Sequence, residues 1–175
     1  SDVYKRQHWA RIVPAPVDAS GRVDLEAFPA LDRGSTALVT CMWANNETGA
    51  VQPVSEISAL ARKARVPFHI DAVQAAGHVP IDFHASGAAT MAISAHKFGG
   101  PRGIGALLVR RDITLRPHNN GGGQERGLRS GTQDVASAAG MAAGLRAAVA
   151  EMQAEHDRVK NLTEQLTHAL SLIHI

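Results

Sequence analysis

Three short apolar runs, each breaking directly into polar residues, constrain the fold of this chain more than any other feature. "TALVTCMW" (36–43) leads into Asn45, Asn46 and Glu47. "PFHID" (67–71) ends on Asp71, with Gln74 close behind. "ATMAIS" (89–94) ends on Ser94, with His96 and Lys97 just beyond. Runs of this length and composition predict strands, the first of them buried. Between the first two, residues 53–65 predict a helix. Ile57, Leu60, Ala61 and Ala64 recur at helical spacing, and Pro53 suits the first turn. Glu56 stands near its start and Lys63 and Arg65 near its end, as the helix dipole favours, and Pro67 limits its length.

Strand, helix, strand at these lengths predicts an α/β fold with a parallel sheet. A fourth strand is expected at 104–110. Beyond Thr132 the pattern turns helical. Val159, Leu162, Leu166 and Leu170 share one spacing, and Ala136, Ala139, Ala143 and Ala147 another. One long or kinked helix is expected from about 132 to 169, with Thr132 as its N-cap.

Composition narrows the class. Apolar residues make up 45% and charged residues 19%, which is globular rather than disordered. A formal charge of +2 gives no signal for nucleic acid or an anionic membrane, and no apolar run reaches transmembrane length. A single cysteine, Cys41, rules out an internal disulfide framework and points to a reducing, cytoplasmic setting. The nine histidines are scattered, without a metal-binding spacing.

Open α/β sheets bind ligands beyond the carboxyl ends of their strands. Asn45, Asp71, Gln74, Ser94, His96 and Lys97 all follow strands, so one sheet edge collects them. Singly, each has a plain structural use: Asp71 as a cap or turn residue, Lys97 as a solvated charge, Asn45 as a turn former. "GGPRGIG" lacks the Gly-Lys-Ser/Thr ending of a nucleotide-binding loop. Together they suit pyridoxal phosphate. A desolvated lysine forms a Schiff base with its aldehyde, and a carboxylate pairs with its pyridinium. Ser94 and His96 suit a phosphate, and Gln74 and Asn45 suit the ring phenolate.

The segments "MWANNETGAVQPVSEI", "FHIDAVQAAGHVPIDF", "ISAHKFGGPRGIGALLVR" and "GGGQERGLRSGTQDVA" together resemble a cysteine desulfurase, over roughly residues 11 to 170. The resemblance implies a class V aminotransferase-type enzyme: a mostly parallel sheet of the fold-type I large domain, here partial, followed by a long helix. It implies that Lys97 carries pyridoxal 5'-phosphate and moves the substrate α-proton. Asp71 would face the pyridine nitrogen, Gln74 the phenolic oxygen, and Asn45 the same side of the ring. Ser94 and His96 would bind the phosphate, and Thr132 the phosphate of a second subunit, so a homodimer is implied. "RSGT" after "GGGQERG" resembles the housekeeping iron–sulfur and thio-transfer branch.

The resemblance also implies L-cysteine as substrate and sulfur-acceptor or scaffold proteins as partners. It places the sulfur-accepting cysteine, in a mobile loop, and the substrate-carboxylate arginine downstream of this chain. Cys41, inside an expected strand, is read as a small hydrophobe instead. "SDVYKRQ" (1–7) and "SLIHI" (171–175) read as non-native ends around a partial large domain at 8–170. The alternatives are a selenocysteine lyase or aminotransferase of the same group, and a non-catalytic module that keeps the fold.

Overall fold

The structure is a computed structural model and describes residues 11–171; most of the two segments read as non-native, 1–7 and 171–175, lies outside the described residues. Strands β1 (Val39–Met42), β2 (Phe68–Asp71), β3 (Thr90–Ser94) and β4 (Gly105–Val109) form one sheet in that order. The first three run parallel. Met42 stands opposite Asp71, and Asp71 opposite Ala92. Strand β4 returns antiparallel to β3, with Ser94 opposite Gly105. The sheet is thus mostly parallel, and the reversed strand has a simple cause. Residues 95–104 are too few for the crossover of about a dozen residues that a parallel neighbour needs. A Cβ at Gly105 would stand 2.6 Å from the Ile93 carbonyl oxygen, so only glycine fits where the hairpin closes.

Strand β1 is shorter and less covered than a buried run would be. Val39 is buried, Cys41 half-buried and Met42 38% exposed. Among the described residues it has a strand neighbour on one side only. Helix α1 (Val54–Lys63) turns Val54, Ile57, Ser58 and Ala61 onto the sheet, with Leu60 and Ala64 half-covered beside them. It stops short of residue 65. The Arg65 N–H bonds the Arg62 carbonyl and the Val66 N–H the Ala61 carbonyl, with Arg65 in the left-handed region at φ +56°. That pairing closes a helix end by satisfying carbonyls that have no helical donor. A short helix, α2 (Phe83–Ser86), is capped by the Asp82 side chain; its single turn is too brief for periodicity to reveal.

Helix α3 (Val135–Ser171) is one helix of 37 residues. It starts after Thr132, and its cap is Asp134. The Asp134 carboxylate accepts from the Ser137 amide at 3.0 Å and the Ser137 hydroxyl at 2.5 Å, while its carbonyl accepts from the Ala138 amide. A carboxylate that takes both donors is a better cap than one threonine hydroxyl, so Thr132 is left outside. The helix packs through Gly140, Gly144 and Ala148, not through the alanine series. A Cβ at Gly144 would lie 3.0 Å from the Gly100 backbone nitrogen, and one at Gly140 3.2 Å from Pro101. The Val159–Leu170 face is exposed.

Two apolar clusters result. The larger holds Ile57, Phe68, Ile70 and Met91 between α1 and the sheet. The smaller joins Ala76, Ala95 and Phe98 to Met141, Leu145 and Ala148 of α3. Burial of an apolar side chain is worth about 1.5–3 kcal/mol, so Phe98, 4% exposed, is a firm anchor for the backbone that carries Lys97.

Candidate active site

Because β1, β2 and β3 are parallel, their carboxyl ends share one edge of the sheet. Asn45 follows β1 at the corner of a tight loop. Its amide N–H bonds the Ala50 carbonyl, and its side-chain oxygen accepts from the Glu47 and Thr48 amides at 2.8 and 2.9 Å. The side-chain oxygen is therefore committed to the loop, and the NH2 group is the part left for a ligand. Asp71 ends β2. One of its carboxylate oxygens accepts from the Val73 amide at 2.9 Å, which starts the turn that carries Gln74. Ala72 and Ala75 are fully buried at the base of that turn, and Gln74 is half-buried above them.

Beyond β3 the chain makes one 3-10 turn, Ala95–Lys97. Ser94 Oγ lies 2.9 Å from His96 Nδ1. Lys97 is half-buried, and among the described residues no carboxylate stands within ion-pair distance of it. The turn is fixed on both sides. The Ala95 amide bonds the Ile104 carbonyl, and the Phe98 and Gly100 amides both bond the Ala95 carbonyl. The structure thus brings Asn45, Asp71, Gln74, Ser94, His96 and Lys97 to one edge. Thr132 stands apart, exposed in the segment before α3, and among the described residues no hydrogen bond joins it to Ser94 or His96.

Cys41 lies within β1, its thiol 3.2 Å from the Met42 carbonyl. Burial pushes that thiol up to about 11, so at neutral pH it is a protonated, unreactive group. Among the described residues, no group of three His, Cys, Asp or Glu side chains is placed to hold a metal ion, and no helix is long and apolar enough to cross a membrane.

One contact at this edge escapes the sequence pattern. His78, from the turn after β2, reaches the Lys97 backbone carbonyl with Nε2 at 2.8 Å. No motif marks a bond from a ring to a backbone oxygen far along the chain.

Three parallel strands that deliver a lysine, a carboxylate and a hydroxyl–imidazole pair to one edge define an α/β domain with a candidate ligand site at its strand ends. The chain belongs to the Aminotransferase class-V family, which it matches over residues 3–174. It is 47% identical over 163 residues to an IscS-like cysteine desulfurase of Mycobacterium tuberculosis, covering 92% of this chain and 42% of that protein. It is 44% identical over 167 residues to a mitochondrial cysteine desulfurase of Arabidopsis thaliana, covering 94% of this chain and 37% of the relative. Among solved structures, a NifS-like protein superposes with a TM-score of 0.84 at 38% identity, over 90% of this chain and 44% of that one. The chain therefore spans about two fifths of the length of the curated relatives it matches.

Proposed function

We propose that the chain is the cofactor-holding segment of a pyridoxal phosphate-dependent cysteine desulfurase, which converts L-cysteine to L-alanine and passes the sulfur on as a persulfide. The observation that carries this reading is the placement of Lys97, Asp71 and the Ser94–His96 pair at the same strand-end edge of the sheet, in a chain whose relatives bear that name. The donor set fits the cofactor: an amine for its aldehyde, a carboxylate for its ring nitrogen, a hydroxyl–imidazole pair for its phosphate, and amides for its phenolic oxygen. When bound, pyridoxal phosphate supplies an electron sink for charge at the substrate α-carbon.

The chain's own residues supply position and proton transfer. Lys97 Nζ would hold the cofactor by its aldehyde, and the same amine is the base that would take the substrate α-proton. Asp71 would keep a proton on the ring nitrogen; one of its carboxylate oxygens is held by the Val73 amide, which leaves the other for that role. Gln74 and the Asn45 NH2 group would donate to the phenolic oxygen. Ser94 and His96 hold the phosphate, and their mutual bond leaves an O–H or N–H donor free for it in either tautomer. The reaction breaks the substrate C–S bond and forms an S–S bond to an enzyme thiolate, while the β-carbon gains a proton. Cys41 is not that thiolate, since its hydrogen is held to about pH 11. The acceptor belongs to the part of the relatives' length that this chain does not span.

Thr132, exposed before α3, is assigned to the phosphate of a second subunit, which makes the proposed enzyme a homodimer. Sulfur-acceptor proteins are its proposed partners. The compartment is proposed as cytoplasmic on the lone cysteine; two relatives carry the word mitochondrial in their names. The test is alanine and sulfide release from L-cysteine by the full-length protein that carries this segment. Lys97→Ala is expected to lower both by about a hundredfold or more. Amino transfer to a keto acid without sulfur release would move the assignment to an aminotransferase.

A further inference from the structure

We propose that His78 is a positioning residue for Lys97, an inference that rests on the cofactor-holding reading above. The one-turn helix Ala95–Lys97 leaves its last carbonyls without helical donors. The Lys97 carbonyl is met instead by His78 Nε2 at 2.8 Å. A carbonyl oxygen only accepts, so Nε2 carries the hydrogen, and the contact serves the neutral ring and the imidazolium alike.

The place His78 comes from gives the contact its meaning. It closes the turn that Asp71 opens through the Val73 amide and that carries Gln74. The bond therefore ties the arm holding the ring-facing carboxylate to the arm holding the lysine.

Neighbouring packing seats the ring. Gly77, at φ +81°, leaves no room for a side chain: a Cβ there would lie 2.8 Å from Phe98 Cβ and 2.9 Å from Ala148 Cβ. The turn is thus wedged between the residue after Lys97 and helix α3. With the turn pinned at Gly77 and the lysine backbone pinned at Phe98, the His78 bond fixes the remaining freedom of the Lys97 peptide.

The experiment uses the full-length protein with His78→Phe, which keeps a ring and loses the donor, and His78→Gln, which keeps an N–H donor. Two readouts are taken: amide hydrogen exchange at Phe98–Gly100 in the cofactor-free protein, and the rate at which pyridoxal phosphate becomes borohydride-trappable on Lys97. A single net hydrogen bond of the usual strength predicts about fivefold faster exchange and about fivefold slower attachment in His78→Phe, with His78→Gln near wild type. Unchanged exchange and attachment in His78→Phe would overturn the proposal. Equal losses in both variants would overturn it too, because the donor would then be irrelevant. If the wild-type protein takes up no cofactor on Lys97, the reading of function fails, and the exchange measurement still decides whether His78 orders this backbone.

Discussion

Gly77→Ala is the substitution for which the structure gives the sharpest energetic expectation. Two costs add. The residue sits at φ +81°, where a Cβ costs about 1–2 kcal/mol. The added methyl would then stand 2.8 Å from Phe98 Cβ and 2.9 Å from Ala148 Cβ, against a comfortable carbon–carbon separation of about 3.5–4.0 Å. Both obstacles are Cβ atoms fixed to backbone, so neither swings aside, and overpacking of this kind costs about 1–3 kcal/mol. The expected loss is about 2–5 kcal/mol. Gly99→Ala separates the two terms: it has the same φ of +81° and nothing within 4 Å of the added atom, so it pays the backbone cost alone. Urea unfolding of the full-length protein is the assay. With a slope of about 2 kcal/mol per M, the Gly77→Ala midpoint should fall by about 1–2.5 M, and that of Gly99→Ala by about 0.5–1 M. Adding Ala148→Gly should restore part of the Gly77→Ala loss, measured against Ala148→Gly alone. Equal losses at the two glycines, or no coupling to Ala148, would refute the wedge between the turn and α3.

Three further outcomes follow from the same geometry. Asp134 is held below its ordinary value by the Ser137 hydroxyl and then the Ser137 amide. A depressed carboxylate stabilises the fold above its unfolded value of 3.8 and loses that contribution as pH falls through the lower folded value. Melting curves of wild type and Asp134→Ala should therefore differ at pH 7 and converge in strong acid, while Thr132→Ala leaves the α3 signal unchanged; a gap that persists in acid contradicts the cap. Cys41, its thiol raised to about 11, should alkylate far more slowly than a free thiol at pH 8 and lose that protection in urea. Fast labelling of the folded protein would show that the thiol is not shielded. Met91 is 1% exposed between the sheet and α1, so Met91→Ala should lower stability by about 2–5 kcal/mol in chemical denaturation, and a loss below about 1 kcal/mol would mean that this core does not form as described.

Much of this fold is written in local pattern. The runs ending at Asp71 and Ser94 are strands, and the spacing of Ile57 and Ala61 buries one face of α1. The direction of β4 needed a length argument rather than a composition one. Pattern alone does not fix the start of α3, because Thr132 and Asp134 both have capping chemistry and only the Ser137 geometry decides between them. The packing face of α3 was hidden for another reason. Glycines read as weak points in a helix, yet Gly140 and Gly144 are where it approaches the Lys97 loop most closely. The site was legible as a set of residue types at strand ends. The His78 contact was not, because a backbone acceptor has no sequence signature.

The central claim is that the Lys97 amine is the group that holds pyridoxal phosphate. The most direct measurement is borohydride reduction of the full-length protein after exposure to the cofactor, followed by peptide mass spectrometry. The account predicts a pyridoxyl group on the peptide containing Lys97 and its absence from Lys97→Ala. A pyridoxyl group on another lysine, or none on Lys97 in protein that has bound the cofactor, would contradict it.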